Sequence, residues 1–270
     1  MRETKQSIQG IDDTLRLVRA LGRRQAREAK NCFWIEGVRH FVQAVDARWK
    51  CETIIYSPIL LTNPLAEMLV RKLTAAGVPR LRVTPEQFRS VSAAERVSGI
   101  GAIVRQRWMS LEDAEPARGL CWLVIEEIRS PGNLGTILRT AEACGVGGVV
   151  FVGPKPDPFD ATVLRGSMGG VFHLPLVRTT PQRFAAWTAK HGMQLVGLSP
   201  DADRWWTDLP SNSAMGLVIG EERTGLSHAM RALCQTTVRL PMTGSADSLN
   251  VGVAAGVMLY ELVRRRRQIV

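Results

Sequence analysis

From Cys121 onward the chain alternates short, wholly apolar runs with stretches of helical periodicity. CWLVIEE (121–127) is apolar up to its acids, the composition of a strand buried on both faces of a parallel sheet. GGVVFVG, FHLPLV, MQLVGLS, MGLVIG and TTVRLP follow, set apart by helical stretches and polar loops. Strand and helix in turn argue an α/β layer structure. Three joins share one format: apolar strand, glycine-bearing polar loop, helix. They are IRSPGNLGTILR (128–139), with its loop expected to run to Gly135 and its helix to start at Thr136, IGEERTGLS (219–227) and LPMTGSADSLN (240–250). In a parallel sheet such loops emerge at the carboxyl ends of the strands, the edge where open α/β sheets bind ligands.

The third join leads into an apolar, small-residue-rich helix expected to begin at Leu249 or Asn250 and to run to Arg264. Asp247 and Ser248 suit its cap. A helix apolar nearly all round is a buried one, so the polar triplet Ser248-Leu249-Asn250 is expected where a loop enters a packed interior. The plain reading is a well-capped core helix. The other is that these polar groups, which need partners when buried, meet a ligand. Arg264–Arg267 then complement the negative end of the helix.

Charge divides the chain. Residues 1–110 hold 19 Lys and Arg against 10 Asp and Glu, and residues 111–270 hold 16 against 15. A basic surface attracts the phosphates of nucleic acid or an anionic membrane. Residues 11–30 read as one basic amphipathic helix, with Ile11, Leu15, Leu17, Val18 and Leu21 on its apolar side. Arg16, Arg19, Arg23, Arg24 and Arg27 are candidate RNA contacts, and a solvated charged face explains them equally well. Alternating strands and helices up to Gln106 make a small α/β domain. Residues 109–119 (MSLEDAEPARG) read as a linker. The expected division is thus 1–108 basic domain, 109–119 linker and 120–270 second domain. The stretch 201–213, with two tryptophans, reads as a loop.

Five scattered cysteines contain no CxxC, and the four histidines show no ligand spacing, so neither a disulfide framework nor a metal site is expected. With no leader pattern and no apolar run long enough to span a bilayer, an intracellular, soluble, cytoplasmic protein is expected. No P-loop, GxGxxG or GxSxG is present. Residue chemistry alone leads to an α/β enzyme or binding domain with a carboxyl-edge site, joined to a basic domain.

Together the three joins resemble something specific. PGNLGTILRTAEACG, LVIGEERTGLS and LPMTGSADSLNVGVAAGVMLYE are similar, in order and spacing, to the three motifs of the SpoU-type (TrmH-like) RNA ribose methyltransferases of the SPOUT superfamily. FWIEGVRHFVQAV is similar to the opening of the small, ribosomal-protein-like α/β substrate-binding domain that many members carry. The resemblance implies transfer of a methyl group from S-adenosylmethionine to a ribose 2′-hydroxyl, of ribosomal RNA before transfer RNA. It also implies a C-terminal α/β domain with a deep trefoil knot around a mainly parallel sheet, and a homodimer with sites completed near the subunit interface. Matched to the motifs, Asn133, Arg139, Glu222, Ser248 and Asn250 are the catalytic set. Gly220, Glu221, Leu240, Met242 and Leu249 fall where members hold the cofactor, and Leu198 and Ser199 close the strand beside its adenosine. The sequence departs from the family at Ser130, where an Asp often precedes the proline, and at Arg223-Thr224, where small residues are frequent.

Family proposals make the motif-one Arg the base. A guanidinium is a poor base at neutral pH, which leaves Arg139 two roles: that base, or a bidentate clamp on an RNA phosphate that takes the proton. A non-catalytic RNA-binding protein and a nucleotide-binding enzyme unrelated to RNA are the competing readings.

Overall fold

The computed structural model describes residues 8–209 and 214–268. The chain divides into one unit of residues 1–107 with 159–164 and a second of residues 108–158 with 165–270.

In the first unit, α1 (Ile8–Ala20) and α2 (Arg24–Lys30) precede β1 (Cys32–Glu36), α3 (Val38–Asp46), β2 (Cys51–Tyr56), α4 (Pro64–Ala75), β3 (Arg80–Arg82), α5 (Pro85–Arg89) and β4 (Ile100–Arg105). The sheet order is β1-β4-β2-β3, with β4 antiparallel to β1 and β2 and β3 parallel to β2. Leu15 and Val18 of the first helix, and Leu21 just after it, pack on Ile55, Leu81, Phe88 and Ile103. The single basic helix expected over 11–30 is two helices, broken at Leu21-Gly22-Arg23. The break has a physical cause. Gly is a weak helix former, and the Arg27 guanidinium turns inward to donate to the Leu21 and Gly22 carbonyls at 2.8 and 3.0 Å. Those are carbonyls that a helix end leaves unpaired. Arg27 is therefore an interior strut, 4% exposed, and leaves the candidate RNA-contacting set.

In the second unit, β5 (Trp122–Ile125), β6 (Gly148–Val152), β7 (Leu176–Thr179), β8 (Gln194–Leu198), β9 (Arg204–Trp205), β10 (Met215–Ile219) and β11 (Thr236–Arg239) form one parallel sheet, ordered β7-β6-β5-β10-β8-β11-β9. Its helices are α6 (Pro131–Ala143), α7 (Ala161–Ser167), α8 (Pro181–Lys190), α9 (His228–Leu233) and α10 (Val251–Gln268). β5, β6 and β10 are buried throughout, as their unbroken apolar runs require.

Five expectations need correction. Residues 109–119 are not a loose linker: Leu111 and Ala114 are buried in the core of the second unit, Met109 N–H donates to the Leu176 carbonyl at 2.8 Å, and the Glu115 carbonyl accepts Trp122 Nε1 at 2.8 Å. The first join turns helical at Pro131, not past Gly135. The strand expected across FHLPLV starts at Leu176, behind a 3-10 turn over Gly170–Phe172. The stretch 201–213 contains the short edge strand β9, and its residues 210–213 lie outside the described ones. Finally, the third loop does not enter an interior: residues 241–250 are exposed, and α10 is buried on one side only. Ala255, Met258, Leu259 and Leu262 face inward, while Val253, Val257 and Tyr260 face out. Arg264 and Arg265 pair with the buried Glu261, which the Arg264 guanidinium, and then that of Arg265, hold down to about 2 against the effect of burial. The side chain of Arg267 lies outside the described residues.

Candidate active site

Ser130 ends the loop after β5, and its hydroxyl accepts the Asn133 N–H at 3.4 Å, with Pro131 in the first helical position. Both residue types favour helix starts, so Ser130 supplies a cap at the position where the motif often has Asp. The cap fixes Asn133 in the first turn of α6, against the second loop. There Glu222 Oε1 accepts the Asn133 amide at 2.9 Å and the Ser130 N–H at 3.0 Å, and Oε2 accepts the Arg129 N–H at 2.9 Å. The Asn133 carbonyl oxygen accepts the Asn250 amide at 3.0 Å. Asn250 Oδ1 in turn accepts the Gly252 and Val253 N–H groups at 2.9 and 3.3 Å. Asn250, rather than Asp247 or Ser248, thus caps α10. A carboxylate only accepts, so the Asn133 amide must face it and its oxygen must face Asn250. One hydrogen-bonded line therefore joins the three loops. Burial pushes the Glu222 carboxyl up, but the N–H groups of Arg129, Asn133 and Ser130 outweigh it and hold the acid below its ordinary range.

The second loop is tied to itself. Glu221 and Gly225 exchange both backbone hydrogen bonds at 2.9 Å. A Cβ at Gly220 would stand 2.3 Å from the Gly225 backbone, and Gly225 has φ 67°, so this crossing needs glycine twice. Thr224, one of the departures from the motif, donates its N–H and hydroxyl to Glu221 Oε2 at 2.8 and 2.6 Å. Arg129 Nε reaches Glu221 Oε1 at 2.7 Å. The Thr224 hydroxyl is the main cause of the lowered Glu221 pKa. Glu221 is thereby held on both counts, its backbone N–H and C=O by Gly225 and its carboxylate by Thr224 and Arg129.

The carboxyl ends of β8, β10 and β11 open on a cavity of about 350 Å³. Leu198, Ser199, Gly220, Glu221, Leu240, Met242 and Leu249 all line it, as do Glu222 and Ser248. The Ser199 hydroxyl accepts a hydrogen bond from Arg231. Asn133 and Asn250 are not in the wall; they brace it through Glu222. Arg139 stands apart: it is exposed on α6, does not line the cavity, and has no hydrogen bond or ion pair among the described residues. The walls pair apolar Leu198, Leu240, Leu249 and Ala254 with the carboxylates of Asp201, Asp247 and Glu222 against one arginine, Arg223. A flat heterocycle fits the apolar part, and a cation fits the acidic part.

Residues 121–260 match the model of the SpoU rRNA Methylase family, and residues 12–102 match a model described as an MRM3-like substrate binding domain. The chain belongs to the SpoU rRNA methylase family. It is 32% identical to the 23S rRNA (uridine(2479)-2'-O)-methyltransferase of Streptomyces viridochromogenes, over 91% of this chain and 87% of that one. It is also 32% identical to the 23S rRNA (guanosine-2'-O-)-methyltransferase RlmB of Xanthomonas axonopodis pv. citri, over 86% and 96%. The AdoMet-bound rRNA methyltransferase from Sinorhizobium meliloti superposes with TM-score 0.87 at 30% identity, over 96% of each chain. The SpoU methyltransferase AviRb from Streptomyces viridochromogenes, in complex with AdoMet, gives 0.86 at 30% identity, over 94% and 98%.

In this SpoU-family chain the sequence reading missed several participants. Arg129 and Ser130 serve Glu222 through backbone N–H groups, which no side-chain pattern encodes. Asp201, Arg223, Val251 and Ala254 also line the cavity. Of these only Arg223 carried a signal, as a departure from the motif.

Proposed function

We propose that this protein methylates a ribose 2′-hydroxyl of ribosomal RNA with S-adenosylmethionine as donor. The observation that carries the reading is the single line Glu222–Asn133–Asn250, which binds the three loops around a cavity lined by all seven expected cofactor contacts. When bound, S-adenosylmethionine supplies a methyl group made electrophilic by its sulfonium. Leu198, Leu240 and Leu249 would wall the adenosine, the backbone of Gly220 beside Glu221 would face its polar edges, and Asp201, Asp247 and Glu222 would favour the positive charge of the sulfonium. The hydroxyl oxygen would take the methyl as its C–S bond breaks, an RNA phosphate would take the proton, and holding that oxygen about 3 Å from the methyl carbon would supply much of the rate. Ser248, exposed on the cavity rim, is suited to hold the incoming ribose.

The chain acts as a homodimer in this reading. Leu249, Val253, Val257 and Tyr260 form an exposed apolar stripe along α10. Thr136 and Thr140, which bracket Arg139 on α6, lie beside Gly252 and Gly256 of α10. A second copy docking on this face explains both the bare stripe and the isolation of Arg139, which would complete a site near the interface by clamping an RNA phosphate. The first unit, with Arg16, Arg19, Arg23 and Arg24, takes the RNA. In this reading the second unit carries the trefoil knot that the family resemblance implies; the return of α10 to α6, although β11 lies beyond β8 from β10, supports it. Among the described residues no helix is long and apolar enough to cross a membrane, and a cytoplasmic setting fits an RNA substrate.

Arg139→Ala is expected to keep cofactor affinity and lose methylation about a hundredfold, the scale of one transition-state group. Single-turnover kinetics on ribosomal RNA with calorimetry of the cofactor checks this. Near-normal turnover removes Arg139 from the reaction.

A further inference from the structure

At the outer edge of the large sheet, Trp205 is 44% exposed on the short strand β9. It pairs in register with Arg239 of β11, whose guanidinium lies over one face of the indole, 4.3 Å from its centroid. Arg239 Nε has no hydrogen-bond partner among the described residues. The ring is not a loose surface side chain. The strand that carries it is anchored on both sides: the Trp205 backbone N–H donates to Asp208 Oδ2 at 3.1 Å, and the Trp206 backbone N–H donates to the Arg239 carbonyl at 2.9 Å. The residue after Arg239 is Leu240, a wall of the cofactor cavity.

We infer that the open face of Trp205 is a stacking platform for an unpaired RNA base next to the nucleotide being methylated. This rests on the RNA reading above. An exposed indole on an edge strand is a solubility liability unless something uses it. A base uses it well, because every base has a π-face and stacking tolerates sequence. Arg239 pins the ring from behind, so little side-chain freedom is lost on binding. The cationic Arg239, with Arg204 exposed beside it, favours the phosphate attached to such a base. A duplex presents no free base face and cannot use the platform.

Trp205→Ala, Trp205→Leu and Trp205→Phe test this in the full-length protein, with a single-stranded oligouridylate and a duplex RNA of equal length as probes. Ala and Leu are expected to weaken oligouridylate binding about tenfold and Phe by much less. Duplex binding, S-adenosylmethionine affinity and the sedimentation coefficient should stay unchanged. Leu binding as tightly as the native protein, equal losses on both RNAs, or a change of oligomeric state in the Ala variant would each overturn the platform alone. Native protein that binds S-adenosylmethionine but neither RNA would overturn the RNA reading with it.

Discussion

The second and third loops meet at one cavity, but they are built in opposite ways. The loop after β10 is closed on itself, with Glu221 and Gly225 bonded both ways and both of its acids held by neighbouring groups. The loop after β11 is exposed along 241–250 and is tied to the rest mainly where Asn250 meets Asn133. One wall is formed in advance, and the other is left for ligand to complete. Preorganisation of the braced loop supplies geometry at no cost on binding. In the proposed function the open loop is the one that admits cofactor and RNA.

Matched glycine substitutions break the comparison most severely. Gly220→Ala places a methyl 2.3 Å from the Gly225 backbone and should cost about 3 kcal/mol of stability, with cofactor binding lost. Gly244→Ala, with nothing within 4 Å of the new Cβ, should change the melting temperature by no more than the effect of ~0.5 kcal/mol. Equal losses would show that the two loops are alike.

Glu222→Gln is expected to come next, at about 2 kcal/mol, because its amide must turn a donor toward an N–H of Arg129 or Ser130. The native carboxyl lies below its ordinary value. Its contribution is therefore complete above the unfolded value of about 4.3 and fades as pH falls through the lower, folded one. The gap in melting temperature between native and Gln proteins should be constant from pH 7 to about 5 and narrow below. A gap that narrows near neutrality would contradict the lowered pKa.

Asn250→Ala should cost about 1 kcal/mol, the size of a lost cap. It should also weaken S-adenosylmethionine binding by more than it lowers stability, since it releases the open loop. Asn250→Asp tests the same contact from the other side. It keeps the cap and removes the donor to Asn133, so cofactor affinity should fall while the helix holds.

Much of this was legible in the chain. Buried parallel strands announce themselves as unbroken apolar runs, and three extended motifs in register located the cavity. What was hidden has physical reasons. β9 is two exposed residues, Arg204 and Trp205, too short for any periodicity. Arg27 looked like the other arginines of its run, because a charge does not say whether it will turn inward to cap a broken helix. The apolar composition of α10 did not reveal that half of it faces outward, since a helix made for a partner and a helix made for a core use the same residues. The pairing of Glu222 with backbone N–H groups has no residue-type signature at all.

The most direct test of the account is transfer of label from tritiated S-adenosylmethionine to ribosomal RNA by the purified protein, with the product nucleotide mapped. The account predicts label on a ribose 2′-oxygen, lost in Arg139→Ala and retained in Gly244→Ala. Label on a base, on a small molecule, or on no RNA would contradict it.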